Sequence, residues 1–140
     1  MKQLLALYFF LSLFNISYGQ SVNSATGMYV SYGNIQRKGV TGTTPLVVTR
    51  AEVLANTALT TSSPSIEVIE FTFSMLPKGQ DFVGPYKVKG RHLTSEIIKK
   101  IQELEDPQGK LFIENILVKE DDGTIRHISP ILLNMVLNKQ

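Results

Sequence analysis

The most regular pattern of apolar and polar positions lies in "IEVIEFTFSML", residues 66–76, where Ile69, Phe71, Phe73 and Met75 alternate with Glu70, Thr72 and Ser74. Successive side chains of a strand point to opposite faces, so this spacing predicts a strand with one buried and one wet face. The adjacent pair Val68 and Ile69 breaks the alternation, which marks a bulge. Pro77 and Gly79 then end the strand. "PLVV" at 45–48 reads as a short strand, and Phe82 to Lys89 as an extended segment punctuated by Gly84-Pro85 and closed by Gly90. After Gly109, "KLFIENILVK" and "TIRHISPILLNMVL" are two more extended runs flanking "EDDG".

Two segments change period. Thr49 and Glu52 stand at capping-box spacing: the hydroxyl accepts from a first-turn amide while the carboxylate reaches back to the cap's own N–H. Ala51, Leu54, Ala55 and Ala58 follow at helical spacing, predicting a helix from Arg50 to Ala58. In "LTSEIIKKIQELEDPQG", Thr94 or Ser95 caps a helix whose stripe is Ile97, Ile98, Ile101 and Leu104, with Glu96 and Lys100 in favourable i,i+4 order and Pro107 as its stop. Residues 21–44, with Gly27, Gly33, Gly39 and Gly42 among serines and threonines, read as short strands and turns. No 20- to 50-residue period recurs. The pattern is that of a mainly β, α+β chain with one or two short helices.

The N-terminus has another design. "MKQLLALYFFLSLFNISYGQ" places one lysine before an apolar run from Leu4 to Phe14 and small residues, Ser17 and Gly19, after it. This is the layout of a signal peptide over residues 1–19, cut between Gly19 and Gln20. The run stops at Asn15, short of the roughly 20 apolar residues that span a bilayer, so no stable membrane insertion is expected after cleavage. Residues 20–140 then form a single domain, long enough to bury a core without staples. Of 14 basic and 12 acidic residues, cleavage removes only Lys2, leaving a net charge of +1. That balance argues against nucleic acid as a partner. The absence of cysteine excludes disulfides, thiolate nucleophiles, thiolate metal sites and a lipid-anchored cysteine.

Candidate chemistry is sparse. Glu120, Asp121 and Asp122 form the densest acidic cluster, but with Gly123 at the sixth position of a calcium loop, Val118 and Ser129 fall on the first and twelfth, where carboxylates are required. Asp122-Gly123 between two apolar runs reads instead as a structural hairpin turn, because both residue types tolerate positive φ. His92 and His127 are far apart in sequence and match no zinc-binding or triad spacing. No catalytic residue, metal ligand or cofactor-binding residue is assigned. Lys87, Lys89 and Arg91 share one side of a strand and Tyr86 and Val88 the other, with Phe82 and His92 nearby. This reads as a solvated strand face whose best functional use is a protein-binding edge.

The segments "VVTRAEVLANTAL", "VIEFTFSMLPKGQ", "LTSEIIKKIQEL" and "GKLFIENILVKEDDGTIRHISPI", in this order across about residues 46–136, resemble the C-terminal domain of the gliding-motility and type IX secretion family GldM. The resemblance implies an immunoglobulin-like β-sandwich with short helices, acting in the periplasm as a protein-interaction module. It places Phe71, Phe73, Ile113 and Ile116 in the core and Asp122 and Gly123 in a turn. A cleavable signal stands where that family has a membrane helix, and the helical and β domains of its shaft have no counterpart here. The expectation is therefore an exported, non-enzymatic interaction domain, periplasmic or secreted. Its partner would be an envelope or secretion protein, as an accessory of the envelope or of the type IX secretion and gliding machinery. The alternative is a small secreted enzyme or enzyme inhibitor using His92 or His127 with the acidic turn.

Overall fold

The computed structural model describes the backbone of residues 30–32 and all of residues 45–139. The signal peptide, the Gly19–Gln20 cleavage point and most of the glycine-rich segment 21–44 lie outside the described residues. Chain order is β1 (Val30–Tyr32), β2 (Leu46–Thr49), α1 (Arg50–Ala55), β3 (Leu59–Thr61), β4 (Glu67–Pro77), β5 (Val83–Lys89), α2 (Ser95–Gln102), β6 (Gly109–Lys119), β7 (Ile125–Ile128) and β8 (Ile131–Val136).

The long strands β4 and β6 pair antiparallel at the centre of a six-stranded sheet ordered β2-β8-β6-β4-β5, with β7 also on β6. β7 and β8 continue one another along β6: Ile116 faces Ile128 and Ile113 faces Ile131, with Ser129-Pro130 interrupting the ladder between them. Pro130 has no N–H to give, which accounts for the break. β1 and β3 form a separate two-stranded ribbon.

One face of the sheet carries the core. Phe71, Phe73 and Met75 of β4, Leu111, Ile113, Ile116 and Val118 of β6, Leu133 and Met135 of β8, Val48 of β2 and Val88 of β5 are all buried. Val53 of α1 and Ile97 and Ile101 of α2 join the same cluster, as do Leu59, Leu93 and Leu104. The molecule is thus mainly β with two short helices, a sandwich-like α+β arrangement. Its first layer is the six-stranded sheet, and its second is unequal, made of the helices together with Leu59 of β3.

Bulges tune which residues reach the core. Pairing shifts between Val68 and Glu70 of β4, turning Val68 inward and leaving Ile69 half-buried, which is the break seen in the sequence. A compensating extra residue sits on β6, where Asn115 has φ +50. Ile113 and Ile116 are three apart yet both fully buried, so one residue between them must leave the pleat, and asparagine tolerates the left-handed region this requires.

Both helices begin at their predicted caps. Glu52 N–H donates to Thr49 Oγ1 at 3.3 Å while Thr49 N–H donates to Glu52 Oε2 at 2.8 Å, and Ile97 N–H donates to Thr94 Oγ1 at 3.3 Å. Both also end early. Asn56 leaves helical geometry, its side chain donating to the Glu52 carbonyl at 2.8 Å, because Thr57 and Leu59 are drawn into pairing with Leu93 and Arg91. α2 stops at Gln102, well before Pro107, and Leu104 turns into the core. Its ion pair is Lys99–Glu103 at 3.7 Å, in place of the predicted Glu96 and Lys100. Arg50 ties the helices together by donating to the Leu104 carbonyl at 2.7 Å.

Candidate functional site

Two charged regions compete as the functional site: the turn between β6 and β7, and the outer strand β5. In the turn, Gly123 N–H donates to the Glu120 carbonyl and Glu120 N–H to the Thr124 carbonyl, both at 2.9 Å. Gly123 has φ +85, whereas Asp122 does not use positive φ, so the hairpin is a four-residue turn, Glu120 to Gly123, whose last residue is a left-handed glycine. Asp122 Oδ1 accepts the Thr124 N–H at 2.8 Å, which holds its carboxyl below the usual carboxylate range. Asp121 Oδ1 accepts the Asp122 N–H at 3.0 Å. Glu120 Oε1 lies 2.6 Å from Arg126 Nε, an ion pair whose N–H is not aimed along the contact. Each carboxylate is engaged inside the hairpin. Among the described residues, no three histidines, aspartates or glutamates converge as metal donors.

The histidines stand apart. His92 follows β5, is exposed, and accepts from Arg91 Nε at 3.4 Å; His127 is exposed on β7, opposite Leu117. β4 and β6 separate their strands. Neither ring pairs with a carboxylate among the described residues, and neither lines the groove of about 430 Å³ at the end of the sheet. That groove runs between the turn 77–80, residues 108–110 and residues 134–136; Lys78 and Lys110 flank it and it contains no carboxylate. No described helix is long and apolar enough to cross a membrane.

β5 differs because part of its backbone has no partner among the described residues. Among the described residues it pairs only with β4, with Val88 opposite Phe71, Lys87 opposite Thr72 and Lys89 opposite Glu70. Gly90 N–H donates to the Ile69 carbonyl at 2.6 Å. Backbone groups alternate in direction along an antiparallel strand, so Tyr86, Val88 and Gly90 bond to β4, whereas the N–H and C=O of Lys87 and Lys89 point away from the sheet. The free stretch has two limits. On one side the register shifts at Gly84-Pro85, with Gly84 packed against β4 so closely that a Cβ there would meet the Phe73 carbonyl oxygen at 3.0 Å. On the other, Leu59 N–H already occupies the Arg91 carbonyl at 2.8 Å.

The side chains follow the same logic. Val88 is buried and Tyr86 half-buried on the core face, while Lys87 and Lys89 are exposed on the other. Lys87 Nζ is 3.0 Å from Glu70 Oε1, and Lys89 has no ion-pair partner among the described residues. Phe82, just before β5, is 53% exposed and packs on Phe112 of β6 with ring centroids 6.4 Å apart. The sequence identified the face of Lys87 and Lys89. It also pointed to a protein-binding edge there, while the strand order that places β5 outermost depends on contacts far apart in the chain. Scans of this chain against protein-family models and against curated proteins match nothing.

Proposed function

We propose that the chain is an exported, non-enzymatic protein-interaction domain of the GldM C-terminal type, and that it binds by taking an extended segment of its partner as an added strand on β5. The observation that carries this reading is the outward direction of the Lys87 and Lys89 main-chain groups at the edge of a six-stranded sheet. Two N–H and two C=O groups offer about four main-chain hydrogen bonds to an incoming strand, the affinity source in strand addition. The short window between the Gly84-Pro85 bulge and Arg91 admits one short segment and disfavours sheet-to-sheet aggregation. The partner is an envelope or secretion protein met in the periplasm or outside the cell, a place in keeping with the signal-like N-terminus.

The test is capture from envelope extract with the exported protein, in parallel with a Lys87→Pro/Lys89→Pro variant. Proline removes both outward N–H groups while leaving the β4 ladder its donors. The expected result is a partner retained by the native chain and lost with the variant. Equal retention by both would remove β5 as the binding edge. Mass spectrometry of the captured material should also find a mature N-terminus at Gln20.

A further inference from the structure

We infer that the partner segment carries carboxylates at alternate positions, two residues apart, with an apolar residue between them. The inference rests on the strand-addition reading and specifies its partner.

Lys87 and Lys89 are two apart on β5, so their side chains leave the same face, and residues of an added strand that lie opposite them leave that face too. Among the described residues the one carboxylate paired with either lysine is Glu70, which lies opposite Lys89 in the ladder and already holds Lys87 at 3.0 Å. The edge therefore keeps a surplus of positive charge, centred on Lys89 and extended by Arg91, which has no carboxylate partner among the described residues. Like charges directly opposite across a ladder repel and opposite ones attract. A basic strand is rejected and an acidic one is drawn in. The intervening residue of the added strand points to the other face, alongside half-buried Tyr86 and buried Val88, where an apolar side chain extends the core. The selected pattern is acidic–apolar–acidic.

The experiment uses chain purified from the envelope fraction of cells expressing the full sequence, in the form the cell leaves it, and blocked synthetic peptides read by fluorescence anisotropy. One peptide has a Glu-Val-Glu centre, a second Gln-Val-Gln, a third Lys-Val-Lys, and a fourth places its two glutamates side by side. The Glu-Val-Glu peptide should bind about fivefold tighter than Gln-Val-Gln, as expected of two exposed ion pairs, and the advantage should shrink in high salt. Lys87→Glu/Lys89→Glu should transfer the preference to Lys-Val-Lys. Lys87→Gln/Lys89→Gln, which avoids a new repulsion with Glu70, should remove preference while keeping binding. Equal binding of the Glu-Val-Glu and Gln-Val-Gln peptides would overturn the acidic pattern and leave strand addition standing. Glu-Val-Glu binding that survives Lys87→Pro/Lys89→Pro, or failure of every peptide to bind, would overturn strand addition itself.

Discussion

The β6–β7 hairpin and the β5 edge are both charged, yet they dispose of their polar groups in opposite ways. In the hairpin, Asp122 is bonded to the Thr124 amide, Asp121 to the Asp122 amide and Glu120 is paired with Arg126, so the cluster spends its charge on its own backbone and neighbour. On β5, the Lys87 and Lys89 main chain has no partner strand among the described residues, and Glu70 is the one carboxylate there that pairs with either ammonium group. Charge density alone would choose the hairpin. Unmet hydrogen-bonding capacity chooses the edge, because groups already satisfied within the fold have little to gain from a ligand.

The contrast can be broken most forcefully within β5 itself. Val88→Pro deletes an inward N–H and disturbs a side chain only 1% exposed, so chemical denaturation should register a loss of about 3 kcal/mol or more. Gly123→Val comes next. A Cβ at Gly123 meets nothing within 4 Å, so the cost is that of a β-branched residue at φ +85, about 1–2 kcal/mol, with asparagine costing less. Partner binding should persist in that variant wherever the domain remains folded. Lys87→Pro should lower stability by less than about 1 kcal/mol, since edge strands accept proline where the N–H faces solvent, yet it should abolish partner capture. Equal destabilisation by Lys87→Pro and Val88→Pro would contradict the assigned backbone directions.

Acid offers a finer separation. The Asp122 carboxyl is lowered first by the Thr124 N–H, and Glu52 is lowered first by Lys139, whose Nζ is 2.6 Å away. A lowered folded value means the contribution is fully present above the ordinary carboxylate range and is lost as pH falls through the folded value. Amide exchange measured as pH drops below about 4 should therefore loosen Thr124 and the start of α1 while Val88 stays protected. Simultaneous loosening of all three would contradict a local role for those carboxylates.

Much of the fold was legible because its signals are local. The alternation of Phe71, Phe73 and Met75, the Thr49–Glu52 box and the Thr94 cap each depend on residues within one turn or one strand. The Val68-Ile69 bulge was also visible as a break in phase. The Asn115 bulge was missed, although the three-residue spacing of Ile113 and Ile116 with an asparagine between them was its signature. Helix ends were missed because distant partners set them: Arg91 and Leu93 claim Leu59 and Thr57, and the core claims Leu104. The candidate site was half legible. Lys87 and Lys89 were assigned to one face from their spacing, whereas the edge position of β5 and the limits at Gly84-Pro85 and Arg91 arise from nonlocal pairing.

Residue-resolved amide hydrogen exchange on β5, without and with the Glu-Val-Glu peptide, tests the central claim most directly. Without peptide, Lys87 and Lys89 should exchange fast while Val88 is slow. With peptide at saturation, Lys87 and Lys89 should become at least about tenfold slower, as newly hydrogen-bonded amides do, with Val88 already protected. Saturating binding that leaves the Lys87 and Lys89 amides as fast as before would contradict the account.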